Sequence, residues 1–446
     1  MEYLPNILFA VVLLIAIGFF TRNVKKLARN IKLGKEVDVR DNKPQRWKNM
    51  AKIALGQTKM VVRPIPGMLH LLVYVGFIII NLEVLEIIID GLLGTHRVFA
   101  PLGSVYNILI GSFEILAFLV IVAVIIFWVR RNVIKLQRFI KPEMKGWPKN
   151  DANLILYIEL VLMSLFLTMN AADFQLQQLG VAHYTLAGSF PISQLLIPLF
   201  EGMSTQSLIF IERGAWWLHI VGILSFLNYL YYSKHLHILL AFPNTYFGKL
   251  DAKGKLRNLD SVTQEVMLMM DPDPYAAPTE DLTASDTDSA VPDKFGASDV
   301  TDLNWVQLLN AYTCTECGRC TSECPANLTG KQLSPRKIMM DTRDRLEEVG
   351  KNLDTNKGSF VDDGKQLLDD YITREELWAC TSCNACTEAC PVSIDPLSII
   401  MDMRQYLVME QSAAPSDLNN MMGNIENNGA PWPFNQMDRL NWKDES

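Results

Sequence analysis

Residues 314–325 read Cys314-Thr-Glu-Cys317-Gly-Arg-Cys320-Thr-Ser-Glu-Cys324-Pro325, and residues 380–391 read Cys380-Thr-Ser-Cys383-Asn-Ala-Cys386-Thr-Glu-Ala-Cys390-Pro391. Both are C-x2-C-x2-C-x3-C-P, and together they use all eight cysteines of the 446-residue chain. This spacing gathers three thiolates from one tight loop and sends the fourth, next to proline, to the cluster of the other loop. The expected ligand sets are therefore Cys314, Cys317, Cys320 and Cys390 for one [4Fe-4S] cluster, and Cys380, Cys383, Cys386 and Cys324 for a second. Structural zinc and a disulfide framework are the competing readings. Zinc sites show paired C-x2-C motifs rather than four-cysteine runs ending in proline, and disulfides require an oxidising compartment.

Working outward, the chain has two unlike halves. Its mean hydropathy is positive, and its net charge of −7 sums an apolar half up to about residue 240 and an acidic, polar remainder. Five apolar segments approach or exceed the roughly 20 residues that span a membrane as a helix. They run approximately Leu4–Phe20, Met68–Ile89, Val105–Val129, Asn153–Asn170 and Ala215–Tyr232. The first has no Lys or Arg before it and no small-residue cleavage site after it, so it reads as a retained anchor rather than a signal peptide. The 21–66 loop is dense in Lys and Arg, and the 130–149 loop carries Arg130, Arg131, Lys135, Arg138, Lys141, Lys145 and Lys149. Loop 91–104 has only Arg97, and 171–212 has none. This charge bias sets both basic loops in the cytoplasm, the N-terminus outside, and everything after the fifth crossing in the cytoplasm.

Of six histidines, His70, His219, His235 and His237 lie within or at the ends of these segments. Ionisable groups at membrane depth are functional candidates, and neutral imidazole ligates haem iron. On a continuous helix, His219 and His237 would share one face about 27 Å apart, with His235 roughly 160° away from His219. His70 and His237 fall at matching depth near the cytoplasmic side. They pair as ligands of a b-type haem, or else are interfacial histidines contacting headgroups and water. Glu83, Glu86, Glu114 and Glu159 also lie at membrane depth. Glu83, Glu86, Glu114 and His219 are expected to line an outer quinone or proton site, covered by the apolar loop Leu186–Phe200.

The stretch Met68 to Phe77 and the stretch His219 to Ile238 resemble helices two and five of the dihaem gamma subunit of respiratory nitrate reductase. The likeness is closer to the membrane subunit of heterodisulfide reductase and its bacterial relatives. That resemblance implies His70 and His237 as the inner haem pair and His219 as half of an outer pair. The second outer ligand is missing, because the chain reads Ile79-Ile80-Asn81 where the family has histidine. Either one haem is bound, or His219 pairs with His183 or His96, or His219 is a quinone contact.

Asp271–Ser298, rich in Asp, Pro, Ser, Thr and Ala, reads as a tether. Helices are expected over Leu303–Tyr312, Ser334–Val349, Gly364–Asp370 and Pro396–Glu410. The 55 residues between Cys324 and Cys380 make this domain larger than a minimal ferredoxin. Residues Trp305–Met339 and Glu375–Val392 resemble the dicluster ferredoxin module of heterodisulfide-reductase-type proteins. The segment from Glu426 to Trp432, with Arg439 and Trp442, resembles the link from that module to a cysteine-rich catalytic domain whose paired-cysteine motifs do not occur before Ser446. Trp432, Phe434 and Trp442 in the tail read as partner anchors.

The expected fold is mainly α, a five-helix transmembrane bundle followed by a mostly helical dicluster ferredoxin-like domain. Its parts are 1–242 as a haem b bundle, 243–300 as a linker, 301–410 as the two-cluster domain and 411–446 as a docking tail. The expected role is a membrane electron-transfer subunit of the cytoplasmic membrane, carrying two [4Fe-4S] clusters and haem b, with quinone as substrate. The resemblance implies a separate cysteine-rich, heterodisulfide reductase-like partner, with an electron-transfer flavoprotein as a further candidate. Membrane lipid surrounds the bundle, and nucleic acid is not among the expected partners. Two alternatives stand beside this: a quinol-oxidising subunit sending electrons inward, and a membrane-anchored iron–sulfur sensor or scaffold, which would not need matched haem histidines.

Overall fold

Long apolar runs can satisfy their backbone inside a bilayer only by coiling, and among the described residues the chain forms five helices long and apolar enough to cross a membrane. The computed structural model describes residues 3–270 and 294–444. The spans are α1 (Leu4–Ile31), α2 (Pro64–Leu93), α3 (Ser104–Asn132), α4 (Trp147–Gln178) and α5 (Thr205–Tyr229), the last extended to Tyr232 by a tighter turn. Each outruns its apolar stretch, because polar turns at either end continue the helix beyond the hydrocarbon. Proline at the first turn of α2 and a left-handed Gly94 just after its last turn set its limits. Neighbours pack as α1 on α2 and α5, α2 on α3, α3 on α4, and α4 on α5. Ile110, Phe166 and Ile220 fill the centre, while Ile7, Leu8, Val11 and Leu14 on α1 face outward as a lipid-exposed helix requires.

The fifth segment does not continue as one helix to His237. Ser233 is extended, and a short turn over Lys234–Leu236 leads into a new helix, α6 (His237–Tyr246). Two side chains hold this break. The Ser233 hydroxyl accepts the His235 amide, and the Asp151 carboxylate accepts the Lys234 amide at 3.1 Å together with the Tyr229 hydroxyl. The shared face expected for His219 and His237 is therefore absent.

The second half is also helical. Its main elements are α7 (Trp305–Thr313), α8 (Pro335–Thr355) and α9 (Pro396–Met409), followed by α10 (Ser416–Asn428) in the tail. Ser334 caps α8 by accepting the Lys337 amide, with Pro335 in the first turn, as the sequence pattern requires. Gly364–Asp370 is not a regular helix: only Leu367–Asp370 turns, and Leu368 (ψ 135°) and Asp369 (φ 71°) leave helical geometry. Ile338, Leu346, Leu377, Ile399 and Met403 form a dry core. Beside it Arg345, fully buried, bridges Asp299 at 2.8 Å and Asp363 at 2.6 Å. No strand occurs among the described residues, and residues 271–293 of the expected tether lie outside them.

This domain is seated on one end of the bundle. Leu27, Leu230, Leu236 and Leu240 belong to the same apolar cluster as Leu309, Tyr312 and Val349. The chain after α1 pairs with the start of α7 through Lys35 N–H to Leu303 O (2.8 Å) and Trp305 N–H to Lys35 O (3.1 Å). Gly34 makes that approach possible, since a Cβ there would stand 2.6 Å from Trp305 N. The basic loops used to orient the helices meet the domain too. Arg63 pairs with Glu323 at 2.6 Å, Lys141 donates to Asn327, Lys26 pairs with Asp354, and Arg29 reaches the Gly350 carbonyl.

Candidate metal centres

The two cysteine runs fold into the same loop twice. In the first, Glu316 (φ 53°) and Gly318 (φ 70°) are left-handed. In the second, Ser382 (φ 50°) and Asn384 (φ 59°) occupy the same two positions. Each residue with a side chain gives up about 1–2 kcal/mol there, which is typical of loops built to clamp a ligand. The turn points backbone amides at sulfur, as the Ser382 N–H does towards Cys380 Sγ at 3.4 Å. A short helix then follows each loop, Arg319–Ser322 and Ala385–Ala389, and the two helices pack together.

That packing interleaves the thiols. Cys390 lies within electrostatic reach of Cys317 and Cys320, and Cys324 lies within reach of Cys380. The fourth cysteine of each run thus lies near cysteines of the other run. All eight are free thiols, so no disulfide framework is present. Among the described residues no group of three or more His, Cys, Asp or Glu is gathered tightly enough to hold a single metal ion. Burial pushes Cys314 and Cys386 up to about 12 and Cys390 up to about 11. Bare thiolates are disfavoured in such a site, whereas coordinated iron would hold them ionised. The donor set therefore fits iron–sulfur clusters.

The surroundings of the two loops differ. Around the first, Arg138 stands within reach of Cys317, Arg343 within reach of Cys314 and Lys59 within reach of Cys390. Around the second, Arg404 donates to the Leu377 carbonyl and stacks on Trp378 at 4.9 Å. The first loop is largely enclosed, while Thr381, Ser382 and Cys383 are exposed.

The membrane histidines fall into two groups. At the end of the bundle that carries the cysteine domain, the His70 and His237 rings face each other with centroids 6.3 Å apart. Two metal–nitrogen bonds of about 2 Å between two imidazoles require a separation of roughly that size. His237 Nδ1–H donates to the Lys234 carbonyl at 3.1 Å, which leaves Nε2 for a metal, the usual arrangement of a ligating histidine. The Nδ1 of His70 is buried and has no partner. The pair fits a bis-histidine iron. His235, to which the sequence pattern assigns no role, stands 5.4 Å from His237, and its Nε2 is 3.6 Å from Glu159. The break at Ser233 brings it there, and helical spacing could not have shown it.

In the middle of the bundle, His219 is buried, its Nδ1–H donating to the Leu162 carbonyl at 2.9 Å and its ring against Phe166. His96 and His183 lie 5.6 Å from each other, but the ring that His219 meets is Phe166. Asn81 is turned outward and bonds the Phe77 carbonyl. Glu86 and Glu114 have other duties. Glu86 accepts the Phe99 amide and the Tyr106 hydroxyl, and Glu114 accepts the Ile192 and Ser193 amides, fixing the apolar cover loop by its backbone.

Glu83 does line a cavity of about 450 Å³ together with His96, Arg97, Asp173, His183 and Trp216. One of its carboxylate oxygens is buried without a partner. The Thr185 amide donates to His96 Nδ1, so the Nε2–H of His96 donates to Asp173 at 3.1 Å. Arg97, left-handed at φ 54°, binds the other Asp173 oxygen at 2.7 Å. In the sequence Arg97 is only a mark of topology, and its backbone strain and buried pairing appear only in three dimensions.

Comparison with known proteins finds similarity in the cysteine-bearing region and along the whole chain. Residues 313–394 match the model of the 4Fe-4S dicluster domain. The chain is 30% identical over 469 residues to the probable iron-sulfur-binding oxidoreductase FadF of Bacillus subtilis (strain 168), covering 99% of this chain and 61% of the relative. It is 25% identical over 467 residues to the EtfAB:quinone oxidoreductase of Syntrophomonas wolfei, covering 98% of this chain and 59% of that protein. A shorter match, 32% identity over 108 residues, covers 24% of this chain and 52% of one polypeptide of the ferredoxin/F(420)H(2)-dependent CoB-CoM heterodisulfide reductase of Methanosarcina acetivorans. The chain spans about three fifths of the length of the first two relatives. No solved structure matches it.

Proposed function

We propose that this chain is the membrane electron-transfer part of a quinone-linked iron–sulfur oxidoreductase, with residues 1–242 as the bundle, 301–410 as the cluster domain, and 243–300 and 411–446 as linker and docking tail. The observation that carries the reading is the seating of the interleaved cysteine runs on the same end of the bundle where His70 and His237 face each other. Cys314, Cys317, Cys320 and Cys390 would hold one [4Fe-4S] cluster, Cys380, Cys383, Cys386 and Cys324 the other, and His70 and His237 a haem b. When bound, these groups supply one-electron carriers whose potentials follow ligand type, charge and burial. The chain's own work is to fix them in line, to exclude water from the first loop, and to keep His237 oriented through the Lys234 carbonyl.

At the opposite end, the Glu83, His96, Arg97 and Asp173 cavity has the size of a small-molecule site. It would take a quinone headgroup, next to the Glu83 carboxylate oxygen that has no partner within the protein. His219, in the middle of the bundle, is a buried packing and hydrogen-bonding residue rather than one of a second histidine pair. The basic loops orient the bundle with the cluster domain in the cytoplasm and the cavity at the outer face. The names of the relatives support an electron-transfer flavoprotein as electron partner and a heterodisulfide reductase-like, cysteine-rich polypeptide as a further one. Detergent-purified, reconstituted protein should contain iron and acid-labile sulfide near eight each beyond haem iron, show a reduced b-type α-band, and be reoxidised by a soluble quinone analogue. Values near four, or a spectrum without the α-band, would overturn the corresponding part.

A further inference from the structure

The first cysteine run contains three charged residues that are not ligand candidates; Glu323 makes an exposed pair with Arg63, and the other two are buried and each holds one of the two histidine segments. Glu316 is buried at 3% exposure. It pairs with Lys234, three residues before His237, and with Arg343 at 2.8 Å. The carbonyl of this same Lys234 accepts His237 Nδ1–H. Lys234 is further held by the Pro148 carbonyl at 2.6 Å and by Asp151 at 3.8 Å. Arg319, buried at 4%, donates to the Lys59 and Met60 carbonyls at 3.1 Å each, just before α2, which carries His70. Residues at the same positions of the second loop, Ser382 and Ala385, carry no charge and reach neither segment, and Cys383 beside them is exposed.

Resting on the haem and cluster reading above, we propose that the first cysteine run holds the membrane-side cluster and the second run the solvent-side one, with Glu316 and Arg319 as positioning residues that register the first loop against His237 and His70. A buried charge pair costs more to break than an exposed one, and a guanidinium fork bound to two carbonyls fixes direction as well as distance. The first loop is thereby tied to both histidine segments by buried charged side chains. The second run and the residues just after it meet them only as acceptors, through the Thr387 carbonyl and Ser393 hydroxyl to Lys59 and the Val392 carbonyl to Asn244, and residues 381–383 turn to water.

The test uses the full, detergent-solubilised and reconstituted chain. Glu316→Gln and Arg319→Gln should keep wild-type iron and sulfide yet shift the g-values of the ferric haem and the relaxation of one cluster signal, and Arg404→Gln should alter only the other signal. Arg319→Lys, which keeps the charge but loses the fork, should restore the haem signal only in part. An aqueous gadolinium chelate should quicken relaxation of the Arg404-sensitive signal more than that of the Arg319-sensitive one, an order readable with or without haem. Unchanged haem and cluster signals in both Glu316→Gln and Arg319→Gln, or equal or reversed sensitivity to the chelate, would overturn the proposal. If His70→Ala and His237→Ala both keep the haem spectrum, or no haem is bound, the haem reading fails, while the chelate result still decides the order of the clusters.

Discussion

The two ends of the helix bundle use the same residue types in opposite ways. At the cluster-bearing end, buried arginines donate to backbone carbonyls, Arg319 to Lys59 and Met60 and Arg336 to Arg138, the last while also pairing with Glu143. There His70 and His237 meet with ring nitrogens to spare. At the far end Arg97 and His96 are both committed to one carboxylate, Asp173. Histidine with a free nitrogen is a metal ligand in waiting, whereas histidine locked to a carboxylate with a defined tautomer is a proton donor and a structural part. Histidine at membrane depth does not by itself mean haem: His237 and His219 both hold a carbonyl through Nδ1, but His237 faces a second imidazole and His219 faces Phe166.

This contrast is tested most strongly by removing ligands at the cluster-bearing end. Cys317→Ala should cut iron and acid-labile sulfide by about half, read by chemical assay. Retention of the full complement would remove Cys317 from the ligand set. His70→Ala or His237→Ala should abolish the α-band, while His219→Ala should keep it and lower stability by about 1–3 kcal/mol through its orphaned Leu162 carbonyl and lost packing. Loss of the band in His219→Ala alone would reverse the assignment of the two ends.

Arg97→Met should leave the visible spectrum unchanged but cost about 3–5 kcal/mol, because Asp173 would remain buried without its cation. Thermal unfolding in detergent measures this, and the quinone-analogue reaction should slow as the cavity loses its shape. The smallest effect is expected from the tail. Trp442 is exposed, so Trp442→Ala should change stability by less than about 0.5 kcal/mol. If the tail is a docking element, the loss should appear only as weaker binding of a partner flavoprotein.

Some of this is open to reading along the chain because its cause is local. The cysteine loops depend on spacing over a dozen residues, and the left-handed positions recur in both runs because the same short loop must turn at the same places. The spans depend on apolar length, and Ser334-Pro335 marks the start of α8 through a cap and a first-turn proline. The depth match of His70 and His237 also comes from counting residues, and the structure sets their rings 6.3 Å apart. The break at Ser233 is hidden, since it rests on Asp151, 82 residues away in sequence from Ser233 and on another helix. The duties of Glu86 and Glu114 are hidden for the same reason, the donors to their carboxylates being loop amides brought in by packing.

Sequence alone therefore determined the inventory: five crossings, two four-cysteine runs and a pair of histidines at one depth, all consequences of spacing and hydrophobic length. Tertiary structure decided which of these groups became neighbours. It set Lys234 against Glu316, Arg319 against the approach to α2, and Arg97 against Asp173. Those pairings arise because a buried charge must find its partner wherever the packed chain brings one, and no local pattern records where that will be.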